Sequence, residues 1–179
     1  MTMVKAKITI RDLNIETDMG EVYRLAKKQY SNHVSMAHPT MEALTLMYTH
    51  ILESGNSYVN LVYADECLLF MIEATDAPKY DIGSLVVTKG DFCLQLLTEE
   101  LNDGQKELWI AGLEKALAYY FQKIGMVRIL IPLGEIGYYP LREWLTDVGF
   151  SFYSPSQDRG NPGFLLCTCQ TWLDGKDGE

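Results

Sequence analysis

Residues 106–131 read "KELWIAGLEKALAYYFQKIGMVRILI", and the parsing of this stretch decides the fold. Apolar side chains recur at helical spacing from about Gln105 to Ile124, Gly125 supplies a stop, and "VRILIPL" follows at once as a strand. Gly112 lies in the first turns of that helix, where glycine is about 1 kcal/mol worse than alanine. A glycine at such a place implies that something approaches the backbone closely, either a ligand or a neighbouring element.

Upstream, "VKAKITIR" over residues 4–11 alternates Val4, Ala6, Ile8 and Ile10 with Lys5, Lys7, Thr9 and Arg11, a strand with one wet face. "NIETDMGEVYRLAKKQY" reads as a helix with Thr17 or Asp18 as N-cap and Met19, Val22, Leu25 and Ala26 on one stripe. Pro39 and Thr40 open a second helix, which Gly55 stops. "SYVNLVYAD" and "CLLFMIEAT" form a hairpin about Ala64, Asp65 and Glu66, and "IGSLVVTKGDFCLQLLTEEL" holds a further pair of strands about Lys89, Gly90 and Asp91. Beyond Pro132 a short helix opens near Pro140 and closes at Gly149, and "FSFYS" and "GFLLCTCQTW" are the last strands. The order β-α-α-β-β-(β)-β-α-β-α-β-β predicts an α/β fold, a single mixed sheet with helices on both faces.

With 179 residues and 47% apolar content, the chain suits one globular domain, expected over residues 1–173, followed by an acidic tail at 174–179. No run of eighteen apolar residues occurs, and "MTMVKAKITIRD" reads as a strand, so a soluble, cytoplasmic protein without membrane contact is expected. Lys and Arg number 15 against 24 Asp and Glu, a net charge of −9. Nucleic-acid binding needs clustered cations, and the nearest cluster, "RLAKK", reads as a solvated helix face. The four cysteines, Cys67, Cys93, Cys167 and Cys169, sit in apolar runs without CxxC spacing and read as reduced, buried thiols. His33, His38 and His50 stand far from them, so no metal site is expected.

This element order, read with its residues, resembles the GNAT superfamily of acyl-CoA-dependent N-acetyltransferases. "ITIRDLNIETDMGEVYRLAKKQY" is similar to the family's opening strand and helix, and "YVNLVYADECLLFMIEA" to its central hairpin. "GLEKALAYYFQKIGMVRILI" followed by "YYPLREWLTDVGFSFY" is similar to its long helix, strand, short helix and Gly-aromatic turn. The resemblance spans nearly the whole chain and implies a GNAT-like acyl-CoA N-acyltransferase fold. Short acidic, tyrosine-rich GNAT-like proteins of this appearance are encoded by bacteriophages, which extends the expectation to a phage protein acting in host cytoplasm or virion.

The resemblance also implies acetyl-CoA as cofactor. Its diphosphate would lie at the start of the long helix, on a loop that reads Arg or Gln, two residues, Gly, one residue, Gly or Ala. One register puts Trp109, Gly112 and Glu114 at the three marked positions, so only Gly112 matches; another starts at Gln105 and puts Leu108 and Ile110 at the glycine positions. Strand backbone at Leu96, Leu97 and Thr98 would pair with the pantetheine amides. Glu99 is the expected general base toward an amine, with Glu100 and Glu73 as other carboxylates in that part of the fold. The family's tyrosine acid falls at Leu145, beside Trp144, which leaves Tyr139 or Tyr138 as the proton donor to the departing thiolate.

Two functions of different class follow. One is an N-acyltransferase toward an amine of a small molecule, a protein or a nucleobase. The other is a GNAT-fold protein without catalysis, serving as a binding or structural component, such as one of a phage virion.

Overall fold

The computed structural model describes residues 6–31, 39–77, 85–98, 103–133, 139–153 and 163–176, with the side chains at 29–31, 103, 139 and 140 excepted. In chain order these residues form β1 (Ile8–Asp12), α1 (Ile15–Ser31), α2 (Met41–Glu53), β2 (Ser57–Ala64), β3 (Cys67–Asp76) and β4 (Asp91–Thr98). A 3-10 turn (Asp103–Gln105), α3 (Lys106–Ala118), a π-helical segment (Tyr119–Ile124), β5 (Arg128–Pro132), α4 (Tyr139–Asp147), β6 (Ser151–Tyr153), β7 (Phe164–Thr168) and α5 (Cys169–Lys176) follow. The strands make one seven-stranded sheet ordered β1-β2-β3-β4-β5-β7-β6. The sheet is mixed: β4 and β5 are parallel, joined by the α3 crossover that parallel neighbours require, whereas β1–β2, β5–β7 and β6–β7 are antiparallel.

Two compact units divide the chain, Met1–Glu73 with Leu96–Lys115, and Ala74–Gln95 with Ala116–Glu179. In the first, Met19, Val22, Leu25 and Ala26 of α1 and Leu44 and Tyr48 of α2 share a core with Val59, Leu61 and Tyr63 of β2. Those strand residues alternate, so they occupy one face of β2. Val62, on the opposite face, meets α3 at Gly112. Helices therefore cover both faces here, as the sequence pattern predicts.

α1 begins earlier than expected. Asn14 caps it, its Oδ1 accepting from the Glu16 amide at 2.9 Å, and Asp18 instead accepts from the Asn14 amide at 2.7 Å and from both Nη atoms of Arg11 at 2.6 and 2.9 Å. The Arg11 hydrogen bond, against some burial, holds the Asp18 carboxyl below its usual range. α2 follows the sequence reading: Thr40 Oγ1 accepts from the Ala43 amide at 3.1 Å, and Gly55 adopts a φ of 67° just past the last turn.

In the second unit the core includes Ala77, Cys93, Leu130 and Phe164. Asp91, fully buried at the start of β4, takes Nε of Arg128 at 2.8 Å on Oδ1 and Nη2 on Oδ2, and accepts from the Thr88 amide at 2.8 Å. Arg128 also donates to the Val86 carbonyl, so residues 85–88 form an irregular tether where the sequence suggested a strand. The last predicted strand is likewise shorter: β7 stops at Thr168, whose Oγ1 accepts from the Thr171 amide at 3.0 Å and opens α5. Thr171 Oγ1 accepts in return from the Thr168 amide at 3.0 Å, a reciprocal cap.

Candidate functional site

The predicted binding residues fall at the end of β4 and, for Gly112, in the middle of α3. The β4–β5 register runs from Asp91↔Arg128 to Cys93↔Leu130, and β4 continues beyond that last pair to Thr98. Leu96 and Leu97 bury their side chains, Leu97 in the core beneath α1 and α2, while Thr98 is half-buried. Of the three, Thr98 alone carries a side-chain hydroxyl.

α3 opens at Lys106, directly after the 3-10 turn Asp103–Gln105, and its first turn runs from Lys106 to Trp109. Gln105 immediately precedes that turn, which is the place a diphosphate-binding loop would begin. Leu108 and Glu107 are exposed there. Trp109 turns inward, 1% exposed, with its ring centroid 4.8 Å from that of Phe70. Gly112 is well inside the helix. A β-carbon there would stand 3.1 Å from Phe70 Cε1, 3.1 Å from Val62 Cγ1 and 3.2 Å from Leu69 Cδ1. The glycine lets α3 lie close on the strands, and the phosphate-facing role considered for it has no open face at this position.

A cavity of about 90 Å³ gathers Arg24 of α1, Cys67, Leu68 and Leu69 at the start of β3, Thr98 of β4, Gln105 and Trp109. Thr98 and Gln105 were singled out in the sequence. Arg24, read within "RLAKK" as a solvated helix face, and Cys67, read as a buried thiol, were not expected at a site, because only the tertiary fold brings an α1 turn and the first residue of β3 to the end of β4. The expectation that all four cysteines are buried fails at Cys67, which is exposed, and at Cys169, which is half-buried. Cys93 and Cys167 are buried as expected, and desolvation raises each thiol to about 11.

The proposed acid and base are placed less fully. Glu99, Glu100 and Tyr138 lie outside the described residues, and Tyr139 is the first residue of α4, its side chain outside them. Leu145, at the family's tyrosine position, is fully buried, and Trp144 is 5% exposed, so that part of α4 faces the core. Glu73 is half-buried on β3. Among the described residues, no three His, Cys, Asp or Glu side chains converge as a metal site requires, and no helix is long and apolar enough to cross a membrane.

No protein-family model matches the chain, and no curated protein matches its sequence. Solved structures do. An uncharacterized protein from Bacillus halodurans superposes with a TM-score of 0.76 at 12% identity, over 99% of this chain and 94% of that one. The aminoglycoside acetyltransferase AAC(6')-Ib in complex with coenzyme A gives 0.76 at 13% identity, over 95% and 99% of the two chains. A chimeric spermidine N-acetyltransferase from Vibrio cholerae gives 0.68 at 14% identity, over 94% and 99%. At this identity the likeness establishes the fold: the chain has the mixed α/β architecture of GNAT acetyltransferases.

Proposed function

We propose that the protein is an N-acyltransferase using an acyl-CoA thioester as donor. The observation that carries this reading is the course of β4, which runs past its last pair with β5 to end at Thr98, in one cavity with Gln105 at the opening of α3. A cofactor whose arm carries amides and whose other end carries phosphates suits a strand end leading to a helix start. Leu96, Leu97 and Thr98 would hold the pantetheine amides with their main chain, and the opening of α3 would face the diphosphate. The thioester, when bound, supplies an acyl carbon already activated toward attack.

The remaining chemistry falls to side chains of this chain. Glu99 takes the proton of the acceptor amine, and Tyr139 gives its phenolic proton to the departing sulfur. The acceptor class is an amine of a small molecule, a protein or a nucleobase.

A second reading, a binding or structural protein without catalysis, is favoured by one observation. Leu108 and Trp109 occupy the α3 turn where small residues would let phosphate oxygens approach. Thermal denaturation with acetyl-CoA and with desulfo-CoA separates the two. The enzyme reading expects stabilisation, about 2.7 kcal/mol at a hundredfold excess over the dissociation constant. An unchanged midpoint at millimolar ligand would sink it.

A further inference from the structure

α2 uses one face to cover its core: Leu44 and Tyr48 are buried there, and Ile51 and Leu52 pack half-buried against it. The outer face of such a helix is ordinarily polar. On α2 it holds Ala43, Leu46, Met47 and His50, positions i, i+3, i+4 and i+7 of one stripe, and all four are exposed, Leu46 by 73% and Met47 by 43%. Leu46 and Met47 lie outside the core, and their spacing is the one by which one helix anchors another. The charges beside the stripe are of one sign. α2 contains no Lys or Arg, and its two carboxylates, Glu42 and Glu53, stand eleven residues apart. That is close to three whole turns, so both lie on the Leu46 side of the stripe, about 16 Å from each other. Both are exposed, and among the described residues neither has an ion-pair partner.

We infer that the outer face of α2 docks an amphipathic helix of another protein, whose apolar stripe covers Ala43, Leu46 and Met47 and whose flank carries two Lys or Arg residues about eleven apart, opposite Glu42 and Glu53. Charge argues against a second copy of this chain. In an antiparallel pairing about Leu46 and Met47, Glu42 of one copy falls level with the turn from Ile51 to Glu53 of the other, and in a parallel pairing Glu42 meets Glu42. Each arrangement sets carboxylate beside carboxylate between chains of net charge −9, whereas a cationic flank relieves both. None of these residues lines the cavity beside Thr98, so the inference stands whether or not the acyltransferase reading does.

The test titrates the full chain, by fluorescence anisotropy, into three labelled alanine-based peptides of about eighteen residues, long enough to be helical. The first has a leucine stripe flanked by two lysines eleven residues apart, the second has glutamates in place of those lysines, and the third keeps the lysines but has glutamines in place of the leucines. The first should bind, and the other two should bind about tenfold or more weakly. Leu46→Ser changes no charge and lies where the fold tolerates substitution, and it should weaken the first peptide about tenfold; Met47→Ser gives the same readout independently. Glu42→Gln with Glu53→Gln should weaken it by up to about fivefold for each ion pair and flatten its salt dependence. Equal affinity for the lysine and glutamate peptides, equal affinity for the leucine-free peptide, binding indifferent to both Leu46→Ser and Met47→Ser, or no binding at millimolar peptide would overturn the inference. Sedimentation of the chain alone tests the other occupant: a concentration-dependent dimer that Leu46→Ser dissociates would give this face to a second copy and overturn the cationic partner.

Discussion

Arg128 holds Asp91 with two guanidinium nitrogens, Nε on Oδ1 at 2.8 Å and Nη2 on Oδ2, and the same two residues are the first pair of the parallel β4–β5 ladder. The ion pair thus sits where the two strands begin to run together. Asp91 is wholly buried and the Arg128 side chain is 24% exposed, so removing the carboxylate leaves a largely desolvated cation. Asp91→Ala should lower stability by about 3 kcal/mol, the lower end for a broken buried pair because Arg128 reaches some water. Urea midpoints of Asp91→Ala, Arg128→Met and the double variant check this. The double variant should be less destabilised than the sum of the singles, and additive losses would mean that the pair is not coupled.

Acid should weaken the fold through Asp91 and Asp18. Burial alone would raise the Asp91 carboxyl, but the Arg128 hydrogen bonds and the Thr88 amide outweigh it and hold it below its usual range. Asp18 is lowered chiefly by Arg11. A carboxyl lowered in the folded state adds stability that is fully present above its unfolded value, about 3.9, and is lost as pH falls through the lower folded value. In that window each such group contributes up to about 1.4 kcal/mol per pH unit. Denaturation midpoints measured from pH 5 downward should fall more steeply for the native chain than for Asp18→Asn.

Gly112→Ala sets helix propensity against packing. Alanine gains up to about 1 kcal/mol in a helix interior. The new methyl meets Val62, Leu69 and Phe70 at 3.1 to 3.2 Å, and overpacking costs about 1–3 kcal/mol. Val62 is β-branched and Phe70 is pinned against Trp109, so these neighbours have little room to yield. A net loss of about 1 kcal/mol is expected. A raised denaturation midpoint would show that the strands give way.

The thiols should react in a fixed order. A thiol reagent attacks the thiolate, which Cys93 and Cys167 form only near their raised value of about 11. Cys67 is exposed and should label first in the folded protein; Cys67→Ser should remove that fast phase, leaving Cys93 and Cys167 to label on unfolding. Rapid native labelling of Cys67→Ser beyond the half-buried Cys169 would contradict the burial.

Most of the architecture was legible because it rests on local signals: the stripe of α1, the Thr40 cap, the stops at Gly55 and Gly125, and strand alternation in β2. The misses have equally local causes. Asp18 has the residue type of an N-cap, but Arg11, seven residues away in sequence, claims its carboxylate, and Asn14 caps instead. The spacing of Thr168 and Thr171 is a cap signal that the apolar run "FLLC" obscures, so a strand was expected where α5 begins. The candidate site was legible only in part. Thr98 and Gln105 flank the α3 entry in sequence, but Arg24 and Cys67 join them through tertiary contacts that no periodicity encodes.

The π-helical segment Tyr119–Ile124 ends with two amides, those of Gly125 and Met126, directed at the Tyr120 carbonyl. Such a turn holds one residue more than the α-helical turn it replaces. Counting back from Gly125 as though the helix were uniform therefore lands one position off, about 100° around the axis, by the time the count reaches the entry of α3. The inserted residue is a phase slip: side chains before Tyr119 keep one angular frame, those after it another. A one-residue deletion within the segment would rejoin the two frames only by turning the buried upstream side chains, Trp109 and Leu113 among them, out of the places they now fill.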